Sequence, residues 1–233
     1  APHPPPWPTP SPPAPSPTKP ASKASAALPP SSSSTPTSSG PAPSTPPAAA
    51  GVVTTRAAAE AFFSPGTNRA LWRFTAIHFL CRDMEQLHDV TRPGDWVRQD
   101  VSRSPGGDSQ IFLNNCYGCH SGMDALAGAY AYFEWDETQG RMLHTPGVVQ
   151  GKNLINGNVF PFGHITTDNG WVNFWREGPN SLLGWRGASD RGFGAKSLGA
   201  EVGASRAFSV WQVEKVSKHV CFHGPKNQDD RDA

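Results

Sequence analysis

The sequence predicts a mainly α-helical domain with long loops, residues 51–233, preceded by a disordered Pro/Ser/Thr/Ala-rich segment, residues 1–50. Three observations predict it. Residues 1–50 hold 18 of the 25 prolines, a single aromatic residue (Trp7) and no charge besides Lys19 and Lys23. Such a stretch buries too little apolar surface to offset its conformational entropy, so the expectation is a polyproline-like tail or linker. Apolar residues recur at three- and four-residue steps in several windows after residue 67, the period of a helix with one buried face. Seven of the eight tryptophans and all twelve phenylalanines fall beyond residue 50, which supplies the material for a core.

In chain order, Leu71, Phe74, Ile77, Cys81 and Met84 predict an amphipathic helix over 69–87, with Thr67 or Asn68 as its N-cap. The stretch 91–107 is punctuated by Arg92-Pro93-Gly94 and Pro105-Gly106-Gly107 and reads as loop. Asp108 is placed to cap a short helix over 109–115, and 123–133 reads as a further helix. From 136 to 170 the chain turns repeatedly, with weak strands expected at Val148–Val149 or Val159–Phe160. Trp171 to Trp175 predicts a short helix or an aromatic loop. After a glycine-rich stretch come helices over 195–202 and 206–221, the last with Phe208, Trp211, Val213, Val216 and Val220 along one side. No internal repeat is visible.

The chemistry concentrates in Cys116-Tyr117-Gly118-Cys119-His120. This is C-x-x-C-H, in which two thiols can add to the two vinyl groups of one porphyrin while the next histidine ligates the iron. The expected cofactor is therefore one covalent haem c, held by Cys116, Cys119 and His120. Zinc is the main rival, but a structural zinc takes four protein ligands and no second C-x-x-C exists. A redox dithiol is the other, although no βαβ pattern surrounds the motif. The remaining cysteines, Cys81 and Cys221, form an even pair and are expected to be a disulfide in an oxidising compartment; two free thiols packed as small hydrophobes are the alternative.

Composition excludes other classes. A net charge of +1 carries no polyanion-binding signature, so no nucleic-acid partner is expected. No apolar run approaches the ~18 residues of a membrane span. The chain opens on Ala1-Pro2-His3 without a charged or apolar leader, so it reads as a mature chain. No P-loop, dinucleotide fingerprint or Ser-His-Asp arrangement appears, and Glu134 and Asp136 read better as a solvated turn than as paired catalytic carboxylates.

The helices flanking C-x-x-C-H, with long loops after it, resemble the plan of class I cytochromes c. A narrower resemblance rests on Thr67-Asn68-Arg69, Asp100-Val101 with Pro105 to Asp108, Cys116 through Asp124, Asp168 through Trp175, and Gly194 through Cys221. These are similar to the haem-c end module of planctomycete-cytochrome-like bacterial proteins, where C-x-x-C-H-x-x-M-D recurs. The resemblance implies a helical haem domain and a place outside the cytoplasm, periplasmic or at the cell surface, but no particular reaction.

The sixth iron position would decide function. Met123 lies only three residues past His120 and is expected to pack beside the attachment site. His164 is the leading distal candidate, with Met142 and His144 as alternatives and an open position as the last. Arg69, Arg73, Lys152, Asn153, Trp171 and Trp175 are candidate propionate donors, and the aromatics of 160–185 are expected to line the haem crevice. His78, His88, His219 and His223 read as surface or packing residues. The first functional reading is a mono-haem electron carrier between redox partner proteins, free or within a larger assembly. An open sixth position would instead give a peroxidase-like or oxygen-handling enzyme. A structural subunit of a self-assembling surface cytochrome is the third reading.

Overall fold

Helices dominate the computed structural model, which describes residues 48–64 and 68–225. The tail predicted over 1–50, the candidate cap Thr67 and the end of the chain from residue 226 lie outside the described residues, apart from 48–50. By its contacts the chain divides after Ser44, and the described residues belong to the second unit, Thr45–Ala233.

A short helix, α1 (Arg56–Ala58), is capped by the Thr55 hydroxyl, which accepts from the Ala58 amide, and widens into π-helical turns over Ala59–Phe63. The second helix, α2 (Asn68–Thr75), continues through wide turns to Leu80. Its predicted extension to residue 87 does not form. Cys81 takes a left-handed conformation, φ 55°, which ends the helix. The next residues turn back, with Asp83 clamping the Arg73 guanidinium at 2.6 Å. The apolar period continues to Met84, which is buried, but a turn delivers it there and not the helix.

The central helical run starts at Asp108, whose carboxylate accepts from the Gln110 amide at 2.8 Å, the predicted cap. It passes through α3 (Ser109–Ile111) and wide turns over Phe112–Cys116 into α4 (Tyr117–Ala127), and closes as a tight turn over Gly128–Tyr130. The helix predicted over 123–133 is thus the second half of a longer run. The chain then enters a hairpin, β1 (Phe133–Asp136) with β2 (Arg141–His144), antiparallel, with Trp135 opposite Met142. Phe133 and Trp135 face the core in alternation with Glu134 and Asp136. Asp136 accepts from the Thr138 and Gln139 amides, so this carboxylate serves a turn.

The strands expected near 148 and 159 are not formed. A second antiparallel pair, β3 (Gly170–Val172) with β4 (Arg191–Phe193), stands instead around the aromatic stretch. The last helices are α5 (Gly194–Gly203) and α6 (Arg206–Cys221), the latter capped by Ser205 Oγ accepting from the Phe208 amide. Cys81 and Cys221 are unbonded thiols here, where a disulfide was expected. Cys81 shares a surface cavity with Arg206, Val210, Trp211 and Glu214 in the first part of α6. Cys221 lies seven residues past Glu214, about 10 Å further along the helix at 1.5 Å per residue, and is exposed.

The core packs α2 against α4, with Leu71, Trp72, Leu80, Leu126 and Trp175 buried in one cluster. Asn68 Nδ2 donates to the Ala127 carbonyl at 2.9 Å and ties the start of α2 to the end of α4. Trp175 lies against Gly122, where a Cβ would overlap the indole ring, so the close approach requires glycine. Among the described residues no helix is long and apolar enough to cross a membrane.

Candidate functional site

Residues at i, i+3 and i+4 of a helix share a face, so Cys116, Cys119 and His120 point to the same side of the central run. Both cysteines are half-buried free thiols. Cys116 packs against the small cluster of Val97, Val101 and Phe112. Cys119 rests on the main core with its Sγ 3.5 Å from the Met84 carbonyl. Burial pushes the Cys119 thiol up, with the neighbouring Cys116, Glu85 and Asp83 adding to it. The Cys119 thiol therefore lacks the electropositive surroundings of a reactive dithiol. The opposite side of the motif is held by the turn at 88–89. The Asp89 amide donates to the Gly118 carbonyl at 2.9 Å, and Ser121 Oγ donates to the Asp89 carbonyl at 3.1 Å. The His88 ring sits over Gly118, as a packing residue should.

One turn beyond His120 on the same face is Asp124, with its side chain wholly enclosed. Its carboxylate receives four hydrogen bonds. Arg69 donates Nε and Nη2 at 2.6 and 2.8 Å, the Arg98 amide donates at 3.1 Å, and His120 Nδ1 lies at 3.0 Å. Burial alone would push this acid up, but the bonds from His120 and Arg69 outweigh it and hold it well below the usual carboxylate range. Ionised Asp124 can only accept, so His120 Nδ1 carries the hydrogen, and in the neutral imidazole Nε2 is the nitrogen with the lone pair. Arg69 also grips Asp100 through both Nη atoms at 2.7 and 2.8 Å. Burial opposes its charge too, yet Asp124 and Asp100 raise it above the ordinary guanidinium value. Arg98, only 3% exposed, reaches Asp100, Asn68 and Asn153. This network carries the scattered Asn68-Arg69, Asp100 and Asp124 of the sequence into one place.

Of the three sixth-ligand candidates, His164 lies on a loop, and Met142 and His144 share the second strand of the hairpin. His164 stacks on Trp96 with ring centroids 4.6 Å apart. Its amide donates to the Val97 carbonyl at 3.0 Å, and its carbonyl accepts from Gln99. It lines a small cavity of about 100 Å³ together with Asp124, Thr166 and Asp168. That backbone pairing ties His164 to the segment whose Arg98 amide bonds Asp124. Burial lowers its basicity, partly offset by Asp124. Met142 packs on the main core, and the His144 ring lies 4.6 Å from that of Phe133 on the hairpin. Met123, 8% exposed, packs in the core next to the motif as expected.

Of the propionate candidates, Arg69 is committed to the two aspartates and Arg73 to Asp83. Asn153 donates to the Gln150 carbonyl at 3.2 Å, and Trp171 Nε1 donates to Ser197 at 2.7 Å. Trp175 meets α4 at Gly122, two residues and so about 200° around the helix from His120, and braces the motif from behind. The aromatics of 160–185 are therefore shared between core and surface. Phe162 is 87% exposed, and Phe160 stacks on the Arg103 guanidinium.

The role of Asp124 escaped the sequence reading, although the i, i+4 spacing from His120 was the signal that pointed to it. Among the described residues, no group of three or more His, Cys, Asp or Glu side chains gathers as a metal sphere. Compared with protein-family models, curated proteins and solved structures, the chain matches none.

Proposed function

We propose that this chain is a mono-haem c-type cytochrome that carries single electrons between protein partners outside the cytoplasm, alone or as a subunit of a larger redox assembly. The observation that carries the reading is the state of His120. It follows a pair of half-buried free thiols on one helix face, and a buried carboxylate holds its Nδ1 at 3.0 Å, so that in the neutral ring Nε2 is the nitrogen with the lone pair. A metal-binding histidine is held in this way, its other nitrogen donating to a carboxylate that fixes the tautomer.

The donor set fits a haem c. Cys116 and Cys119 would each add S–H across one vinyl group, sulfur to one carbon and hydrogen to the other, with no oxidant consumed. His120 Nε2 would hold the iron. The bound group supplies one-electron chemistry, and the protein supplies ligation, orientation and exclusion of water. The Asp89–Gly118 and Ser121–Asp89 hydrogen bonds and the Trp175–Gly122 contact keep the helix rigid while charge changes nearby.

A second reading is a haem enzyme with an open or displaceable sixth position. It is favoured by the placement of His164 beside Asp124 and of Met142 and His144 on the hairpin. Carbon monoxide separates the two. The dithionite-reduced protein is expected to keep an unchanged low-spin spectrum when carbon monoxide is added. A shifted Soret band would transfer the assignment to the enzyme.

A further inference from the structure

We propose that Asp124 is the positioning residue of the His120 imidazole: clamped by Arg69 and the Arg98 amide, it fixes the ring proton on Nδ1, aims Nε2 outward and lowers the reduction potential of a haem held there. The inference rests on the haem reading above and deepens it by assigning what sets the potential.

Three features of the geometry carry it. First, the carboxylate is immobile. Both oxygens are engaged, Oδ1 by Arg69 Nε and His120 and Oδ2 by Arg69 Nη2 and the Arg98 amide. Second, it is desolvated, so no water competes for His120 Nδ1 and the hydrogen bond keeps its full polarising effect. An imidazole whose N–H leans on a carboxylate is a stronger donor through its other nitrogen, and stronger donation favours ferric over ferrous iron. Third, the surrounding charges oppose one another. Asp100 and Asp124 face Arg69 and Arg98, with Arg103 close by. Two carboxylates against three guanidiniums leave no net negative field to favour ferric iron, so the lowered potential has to act through the hydrogen bond itself.

That distinction sets the controls. Asp124→Asn removes both the bond's charge and a unit of field, Asp124→Glu keeps the charge, and Asp100→Asn removes the same charge from the cluster without touching His120. The measurement is the midpoint potential of each holoprotein, after an alkaline pyridine spectrum has established that haem is present. Asp124→Asn is expected to move the ferrous/ferric ratio at a fixed potential about tenfold toward ferrous, which for one electron is about 59 mV. Asp124→Glu should recover more than half of that shift, and Asp100→Asn should produce less than half of it. Equal shifts from Asp124→Asn and Asp100→Asn, or no shift from Asp124→Asn, would overturn the proposal and leave the haem reading standing. Absence of haem from the wild-type protein would overturn both. Should Asp124→Asn fail to fold, proton–nitrogen NMR of the ferrous wild-type protein decides. A slowly exchanging proton on His120 Nδ1 supports the assignment, and a ring that exchanges freely refutes it.

Discussion

Changing Cys116 and Cys119 together to serine is expected to abolish haem that survives a denaturing gel, while the helical signal of the chain persists. The reason is local. Both thiols lie on the accessible side of the central helix, Cys116 against Val97, Val101 and Phe112 and Cys119 against the Met84 turn. Serine fills nearly the same volume, and neither thiol bridges to another cysteine, so the fold loses no cross-link. A thioether cannot form from serine, and His120 alone would hold haem only reversibly. Each single serine variant should retain haem through the remaining sulfur, with an altered α-band. Haem staining of the denatured double variant at wild-type intensity would show that the attachment lies elsewhere.

The second large effect belongs to Asp124. Asp124→Ala is expected to destabilise the protein by ~3–5 kcal/mol, the cost of breaking a buried ion pair from one side. It leaves Arg69 Nε in the enclosed site without its acceptor, with only Asp100 still holding the two Nη atoms, and it frees the Arg98 amide and His120 Nδ1. Denaturant unfolding of the wild type and the variant measures the difference. The same group makes the fold acid-sensitive. The folded carboxylate titrates below its unfolded counterpart, so its contribution is complete above the unfolded value of ~3.9. It is lost as pH falls through the depressed folded value. Asp100, held down by Arg69 and Arg98 against its own burial, acts in the same sense. Stability should therefore be level from neutrality down to about pH 5 on their account and fall steeply below 4. Asp124→Ala should flatten that acid limb. An acid limb unchanged in the variant would assign the sensitivity to other groups.

Much of the fold was legible because local chemistry agreed with tertiary packing. Asp108 caps the helix it precedes, and the last helix runs over Arg206–Cys221 as read, although none of its residues is buried and Val216 and Val220 of its apolar set are exposed. Where the two disagreed, the sequence misled. The period running from Leu71 to Met84 crosses Cys81, whose left-handed backbone stops the helix, a conformation unusual for a residue with a side chain. The alternation of Phe133 and Trp135 with two carboxylates was a strand signal hidden at the end of a helical window. Val148 and Val159 are β-formers, but both are exposed and find no partner strand among the described residues.

At the site, the motif itself was plain and its support was not. Cys116, Cys119 and His120 are adjacent in sequence, whereas Arg69, Arg98 and Asp100 meet Asp124 only through the packing of α2 on α4 and the loop between them. His164 had a sequence separation suited to a distal ligand. Its backbone pairs with Val97 and Gln99, a contact that sequence spacing does not encode.

The most direct measurement is the intact mass of the protein, produced in cells able to attach haem and then denatured and reduced. The account predicts the chain plus one haem, with the added mass on the peptide containing Cys116 and Cys119 and Cys81 and Cys221 free to alkylate. The mass of the bare chain, with four thiols open to alkylation, would contradict it and return the motif to zinc or dithiol chemistry.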